Sequence, residues 1–184
     1  MVFIARNDPV SRHFSDHSHG SGAPPWAPRS DLRIAQMVGR SFRCGMLARK
    51  GGNAASWSFA WQEFAGLTGS QSADLLVGRL ATFVEKVDSL AARPIEVLPA
   101  GCPGLCRDEC LAVSIIAASQ LGACPALKAC AFALLQSWEV EPCIRSAGAF
   151  SEGLRQAGQM LSADLVCNAL ALMPASSGRT LPHA

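Results

Sequence analysis

Several residue types that enzymes commonly use are scarce in this chain of 184 residues, which has no tyrosine and only four histidines. Three of the histidines, His13, His17 and His19, lie near the start of the sequence and the fourth, His183, lies near its end. The middle of the chain therefore offers no imidazole for a Ser–His or Cys–His pair, which disfavours hydrolytic triads and histidine-based acid–base catalysis. The GxxxxGK[S/T] phosphate loop and the GxGxxG dinucleotide fingerprint are also missing. We therefore expect a protein that is not an enzyme.

Long hydrophobic runs are missing as well. The apolar stretches around "CLAVSIIAA" and "ACAFALL" fall well short of the roughly 20 residues that span a bilayer. The start of the chain has only four apolar residues after Met1 before it turns charged, which is too few for the core of a signal peptide. We expect a cytoplasmic protein with no membrane partner, and in that compartment thiols stay reduced.

Charge is the third scarcity. Charged residues make up 16% of the chain and hydrophobic residues 49%, whereas globular proteins usually contain about 25% charged residues. So little charge, combined with many small residues, indicates that part of the surface is shared with a protein partner or with a second copy. The strong preference for arginine over lysine, thirteen to three, is typical of a GC-rich bacterial genome.

Hydrophobic spacing predicts an all-α fold: a bundle of five or six helices. Two segments in the second half of the chain are apolar on nearly every face, which predicts a central apolar helical hairpin that the other helices surround. No alternating pattern of a second strand accompanies the short apolar stretch "IEVL". The predicted helices cover residues 30–51, 56–69, 72–92, 108–122, 125–138 and 150–172.

The composition divides the chain into three parts. Residues 7–30 are rich in Ser, Gly, Pro and His and have few aliphatic side chains, so they cannot bury enough surface to offset the entropy of ordering. We predict a disordered N-terminal tail at 1–29, a single all-helical domain at 30–173 and a loose C-terminal tail at 174–184.

Cysteine is the most concentrated signal, since five of the eight cysteines fall between residues 101 and 130. The spacing of Cys102 and Cys106 falls within the C-x(2–4)-C range of structural zinc sites. Free cysteine is also among the most buried residue types and acts as a small hydrophobe. Two hypotheses stand, core packing with no cofactor and a zinc or redox sensor. The candidate zinc ligands are Cys102, Cys106, Cys110 and either Cys124 or Cys130.

Cys106 is the best candidate for a reactive thiol. Arg107 lies beside it, and a helix is predicted to begin nearby, a setting in which the pKa of a thiol falls. Asp108 and Glu109 act against this effect. We place these two carboxylates at a solvated helix end.

An aromatic ridge is the first candidate partner-binding surface. Trp57, Trp61 and Phe64 are spaced i, i+4 and i+7 on a predicted helix. Tryptophan is enriched at interface hot spots. Packing inside the bundle is the alternative.

A basic stripe is the second candidate surface. Arg33, Arg40 and Arg43 share one face of the first predicted helix, where they would contact phosphates of a nucleic acid. A solvated face opposite the apolar side of the helix is the alternative.

The sequence therefore predicts a non-enzymatic helical interaction or regulatory protein. The first alternative is a cysteine-based zinc or redox sensor. The second is a nucleic-acid accessory protein that uses the basic first helix.

Overall fold

A computed structural model describes residues 29–51 and 55–166 of the chain. Within these residues it contains six α-helices, one short 3-10 helix at Ala163–Leu165 and no strand, which confirms the predicted all-α fold. The predicted tails lie outside the described residues, apart from Arg29, which is the first residue of α1. The α-helices are α1 (Arg29–Gly51), α2 (Ala55–Thr68), α3 (Ser70–Leu90), α4 (Arg107–Gln120), α5 (Cys124–Leu135) and α6 (Glu141–Gln156).

The residue types at two positions set helix ends in this fold. Gly69 adopts a φ of 82° and joins α2 directly to α3, a conformation that only glycine reaches without steric cost. Pro125 lies in the first turn of α5, where its missing N–H leaves no hydrogen bond unmade. The backbone carbonyl of Leu135 at the end of α5 accepts a hydrogen bond from the N–H of Ala92, 2.8 Å away. This bond connects the end of α5 to the chain that follows α3.

The core lies between the helices of the bundle. Helix α4 packs against α1, α5 and α6, and α3 packs against α2 and α6. The Phe64 ring contacts the Phe150 ring edge to face, with centroids 6.0 Å apart. A Cβ at Gly153 of α6 would lie 3.0 Å from Leu76 and 2.8 Å from the guanidinium of Arg79. A side chain at position 153 would therefore require the side chains of Leu76 and Arg79 to move away from α6.

The predicted last helix, 150–172, is wrong at both ends. Helix α6 begins at Glu141 and ends at Gln156, and Gly158 follows with a φ of 72°. The apolar spacing continues beyond this break, because Leu161 is buried and Leu165 packs against the core without belonging to the same helix.

None of the helices among the described residues has both the length and the apolar composition that crossing a membrane requires.

Candidate functional site

A buried ion pair lies where the loop between α3 and α4, residues 91–106, meets α1. The Arg43 Nε donates to Glu109 Oε1 at 2.7 Å, and Arg43 Nη2 donates to Glu109 Oε2 at 2.9 Å. The two side chains are 1% and 0% exposed. Burying charges to this extent is tolerated only when pairing and hydrogen bonds replace the lost water.

The backbone of the loop supplies those further hydrogen bonds. Arg43 also donates to the carbonyl oxygens of Cys102, at 2.6 Å, of Pro99, at 3.3 Å, and of Gly104. Hydrogen bonding to Glu109 raises the pKa of the Arg43 guanidinium above its ordinary value, although burial acts to lower it. Arg43 therefore stays charged and fixes three points of the loop.

Glu109 binds the same loop from the α4 side. Its Oε1 accepts the N–H of Leu98 at 3.0 Å, and its Oε2 accepts the N–H of Cys106 at 2.8 Å. The second contact is a capping interaction, because Cys106 is the residue that precedes the first turn of α4. Glu109 thus sets both the start of α4 and the path of the loop.

A second ion pair joins the same loop to α4. Arg93 donates to both carboxylate oxygens of Asp108 at 2.7 Å, and the N–H of Glu96 donates to Asp108 Oδ2 at 2.9 Å. Burial acts to raise the pKa of Asp108, but the hydrogen bonds from Arg93 and Glu96, together with nearby positive charge, lower it overall. Asp108 therefore stays ionised in the folded protein.

These contacts correct two sequence predictions. Asp108 and Glu109 do not form a solvated helix end, since they are 3% and 0% exposed. Arg43 does not share a phosphate-contacting stripe with Arg33 and Arg40, because its guanidinium is enclosed by Glu109 and the loop carbonyls. On the rest of that stripe, Arg33 is exposed and Arg40 lies over the ring of Phe59, 4.9 Å from its centroid.

Cys102 and Cys106 both lie in this loop and are half-buried free thiols. As predicted, Cys106 stands at the N-terminus of a helix. Its Sγ donates to the carbonyl of Glu96 at 3.2 Å, and burial raises the pKa of the thiol. The predicted fall in the pKa of Cys106 is therefore wrong, because desolvation outweighs the effect of the helix end.

The structure does not bring all five candidate zinc ligands together. Cys110 is exposed near the start of α4, whereas Cys124 is exposed just beyond its end. The ten steps along the helix from Cys110 to Gln120 span about 15 Å, whereas thiolates that share a zinc ion each lie about 2.3 Å from it. Cys130 is fully buried in α5.

Among the residues that the structure describes, no group of three or more His, Cys, Asp or Glu side chains is arranged to hold a metal ion. The zinc hypothesis stays a prediction.

The predicted aromatic ridge is divided between the core and the surface. Phe64 is fully buried, so its predicted place on a partner-binding surface is wrong. Trp61 is 37% exposed, and its Nε1 donates to Asp74 Oδ1 at 2.7 Å. Trp57 is half-buried and, with Trp61 and Val77, borders a shallow cavity of about 310 Å³.

The most exposed large apolar side chain among the described residues belongs to Trp138, between α5 and α6, which is 78% exposed. Its ring packs against Phe132, with centroids 4.4 Å apart and planes tilted by 40°. Two residues earlier Gln136 has a φ of 52°, in the left-handed region. That conformation costs a residue other than glycine on the order of 1 kcal/mol. The turn that presents Trp138 is therefore conformationally costly.

An open cavity of about 320 Å³ lies beside Trp138. On its rim Lys128 and Glu141 form an ion pair at 3.3 Å, with side chains 64% and 59% exposed. We call the cavity and its lining residues the Trp138 surface. Besides Trp138, the lining residues are Pro125, Lys128, Ala129, Phe132, Val140 and Glu141.

Sequence reasoning missed both the buried ion pair and the Trp138 surface. The signal available for Trp138 was a single tryptophan in the segment "QSWEVEP", where an apolar helix gives way to a polar turn. No family model, curated protein or solved structure matches this chain.

Proposed function

We propose that this chain is a non-enzymatic helical interaction protein and that it binds a protein partner through the Trp138 surface. The observation that carries the proposal is the 78% exposure of Trp138 beside an open cavity. The other exposed large apolar side chains among the described residues, such as Leu75 at 49% and Leu121 at 45%, are markedly less exposed. Tryptophan is enriched at interface hot spots, which cluster in pockets near the centre of an interface.

The surface is also held in shape before binding. Phe132 packs against the Trp138 ring, and Gln136 closes the end of α5 through its N–H to the carbonyl of Phe132, at 2.8 Å, and its Nε2 to the carbonyl of Ala133, at 2.9 Å. A side chain that is already ordered loses less conformational entropy on binding. Truncating a tryptophan that is a hot spot of an interface costs about 2 kcal/mol or more of binding free energy. These features support Trp138 as the anchor.

The second candidate function is a thiol-based zinc or redox sensor. One observation favours it: Cys102 and Cys106 lie four residues apart in a loop that Arg43 and Glu109 fix from both sides. A ligand or an oxidation that joined these thiols would act directly on the buried ion pair. Sensitivity to a chelator separates this candidate from the first.

The apparent mass of the protein in native extract tests the proposal. We expect the wild-type chain to elute above its monomer mass of 19.3 kDa, with or without a chelator. Trp138→Ser should shift it to the monomer position. The matched control, Trp61→Ser, removes a tryptophan outside the surface and should leave the elution unchanged.

The charge reversal Glu141→Lys on the cavity rim guards against a folding artefact, because it leaves the Trp138–Phe132 contact in place. It should also reduce the apparent mass. The proposal is wrong if wild-type protein elutes as a monomer, or if both surface variants elute like the wild type while circular dichroism shows them folded.

A further inference from the structure

The charges around Trp138 distinguish between possible ligands. Glu139 follows the tryptophan directly and is exposed, and the Glu141 side chain is 59% exposed on the cavity rim. Lys128 is the one cation among the residues that line the cavity, while Arg145, one turn further along α6, is not part of the lining. Within the lining one carboxylate, Glu141, thus faces one ammonium group, and the exposed Glu139, which lies between the lining residues Trp138 and Val140 in the chain, adds a second carboxylate beside the tryptophan.

The ion pair between the Lys128 ammonium and Glu141 is weak. The ammonium lies 3.3 Å from Glu141, and both side chains are more than half exposed. Ion pairs of this kind contribute little to stability, because water screens the charges and the side chains lose entropy when paired. An incoming cation can therefore replace Lys128 as the partner of Glu141.

The apolar part of the surface fits the stem of a long basic side chain. Ala129, Phe132 and Val140 line the cavity below the rim. Arginine and lysine pack their methylene groups on such surfaces while the charged end stays near water. The exposed indole of Trp138 offers a π face, and tryptophan is the aromatic residue that attracts cations most strongly.

From this arrangement we infer that the Trp138 surface binds an arginine or lysine side chain from an extended segment of the partner. The stem packs in the cavity, the cation lies against the Trp138 indole, and Glu139 and Glu141 balance its charge. This inference rests on the proposed function, because it names the chemistry of the partner at the same surface.

Three acetylated and amidated peptides test the inference: Ala-Pro-Arg-Pro-Ala and its versions with Gln or Glu in place of Arg. The prolines keep the peptide extended, which reduces the entropy lost on binding. Binding to the full chain is followed by NMR through the indole N–H resonances of its four tryptophans. Trp138→Phe identifies the resonance of Trp138 and Trp61→Phe that of the control.

We expect the Arg peptide to shift the Trp138 resonance saturably and to leave that of Trp61 unchanged. The Gln peptide should bind several-fold more weakly, and the Glu peptide more weakly still. Glu141→Gln should weaken binding of the Arg peptide about two- to fivefold, the size typical of one exposed charge contact. Lys128→Gln should strengthen it by a similar factor, because it removes the competing cation.

The opposite signs of the two charge variants make the test specific. Equal binding of the Arg and Gln peptides, tighter binding of the Glu peptide, or weaker binding by Lys128→Gln would each overturn the inference. In those cases a saturable shift at Trp138 still supports a docking surface there. No shift with any peptide also overturns the inference, and the proposed function is then decided by the mass of the native complex.

Discussion

Removing the charge of Glu109 is the perturbation whose effect on stability the structure defines best. In Glu109→Gln one carboxylate oxygen becomes an NH₂ group. Oε1 accepts hydrogen bonds from Arg43 Nε and the N–H of Leu98, and Oε2 accepts them from Arg43 Nη2 and the N–H of Cys106. Whichever oxygen is replaced, the two N–H groups that donated to it then face the NH₂ group, which is itself a donor. The buried Arg43 guanidinium also loses its counter-charge.

Breaking a buried ion pair in this way costs about 3–5 kcal/mol. The whole free energy of unfolding of a domain is typically about 5–15 kcal/mol, so Glu109→Gln should lose a large part of it. Glu152→Gln is a matched control, because Glu152 also pairs with an arginine, Arg155, at 2.7 Å, but at the exposed surface. This control should leave the free energy of unfolding almost unchanged.

Urea denaturation followed by circular dichroism measures both variants against the wild type. The expected result is a much lower midpoint for Glu109→Gln and a wild-type midpoint for Glu152→Gln. If Glu109→Gln cost less than about 1 kcal/mol, the reasoning about the buried ion pair would be refuted, since a surface contact costs no more than that.

Two further predictions concern pH and the thiols. Since the pKa of Asp108 is lowered in the folded state, its stabilisation is complete above the ordinary carboxyl pKa of about 3.9 and is lost as pH falls through the lowered value. Asp108→Asn should therefore be less stable at pH 7 and should lose less stability than the wild type below about pH 4, and parallel curves of urea midpoint against pH would contradict this. In anaerobic protein purified without a His-tag, Cys124 should react with a thiol reagent at once and Cys143 only after unfolding, because Cys143 is fully buried and burial raises its pKa to about 12. About one zinc per chain, with Cys102 and Cys106 protected until a chelator is added, would instead establish the sensor.

The sequence predicted the first five helices well because their ends carry local signals. Gly69 and Pro125 mark boundaries that depend on the residue type at one position. The prediction of the last helix was wrong because it overlooked such a local signal. Apolar residues recur every three or four positions through Leu161, but Gly158 breaks the helix, and the chain beyond it packs on the core in another conformation. Beyond Gly158 the hydrophobic spacing indicates which residues are buried but does not indicate a helix.

The buried ion pair could not be predicted from local sequence patterns. Arg43 and Glu109 are 66 positions apart, and each fits an exposed helical face when only its neighbours are considered. Their pairing depends on how α1 and α4 meet. Trp138 was missed for a related reason, since a single aromatic residue in a short turn has no periodicity, and Gln136 before it adopts a left-handed conformation that its residue type does not predict.

Photocrosslinking from position 128 in living cells tests the central claim most directly, because it leaves Trp138 in place. A photoreactive phenylalanine derivative replaces Lys128, whose side chain is 64% exposed on the rim of the cavity, in one variant and, as a control, Glu85 in another, where the side chain is 52% exposed on α3. The account predicts a discrete covalent adduct from position 128 and none from position 85, with an adduct of twice the 19.3 kDa chain mass if the partner is a second copy. The absence of an adduct from position 128, or the same adducts from both positions, would contradict it.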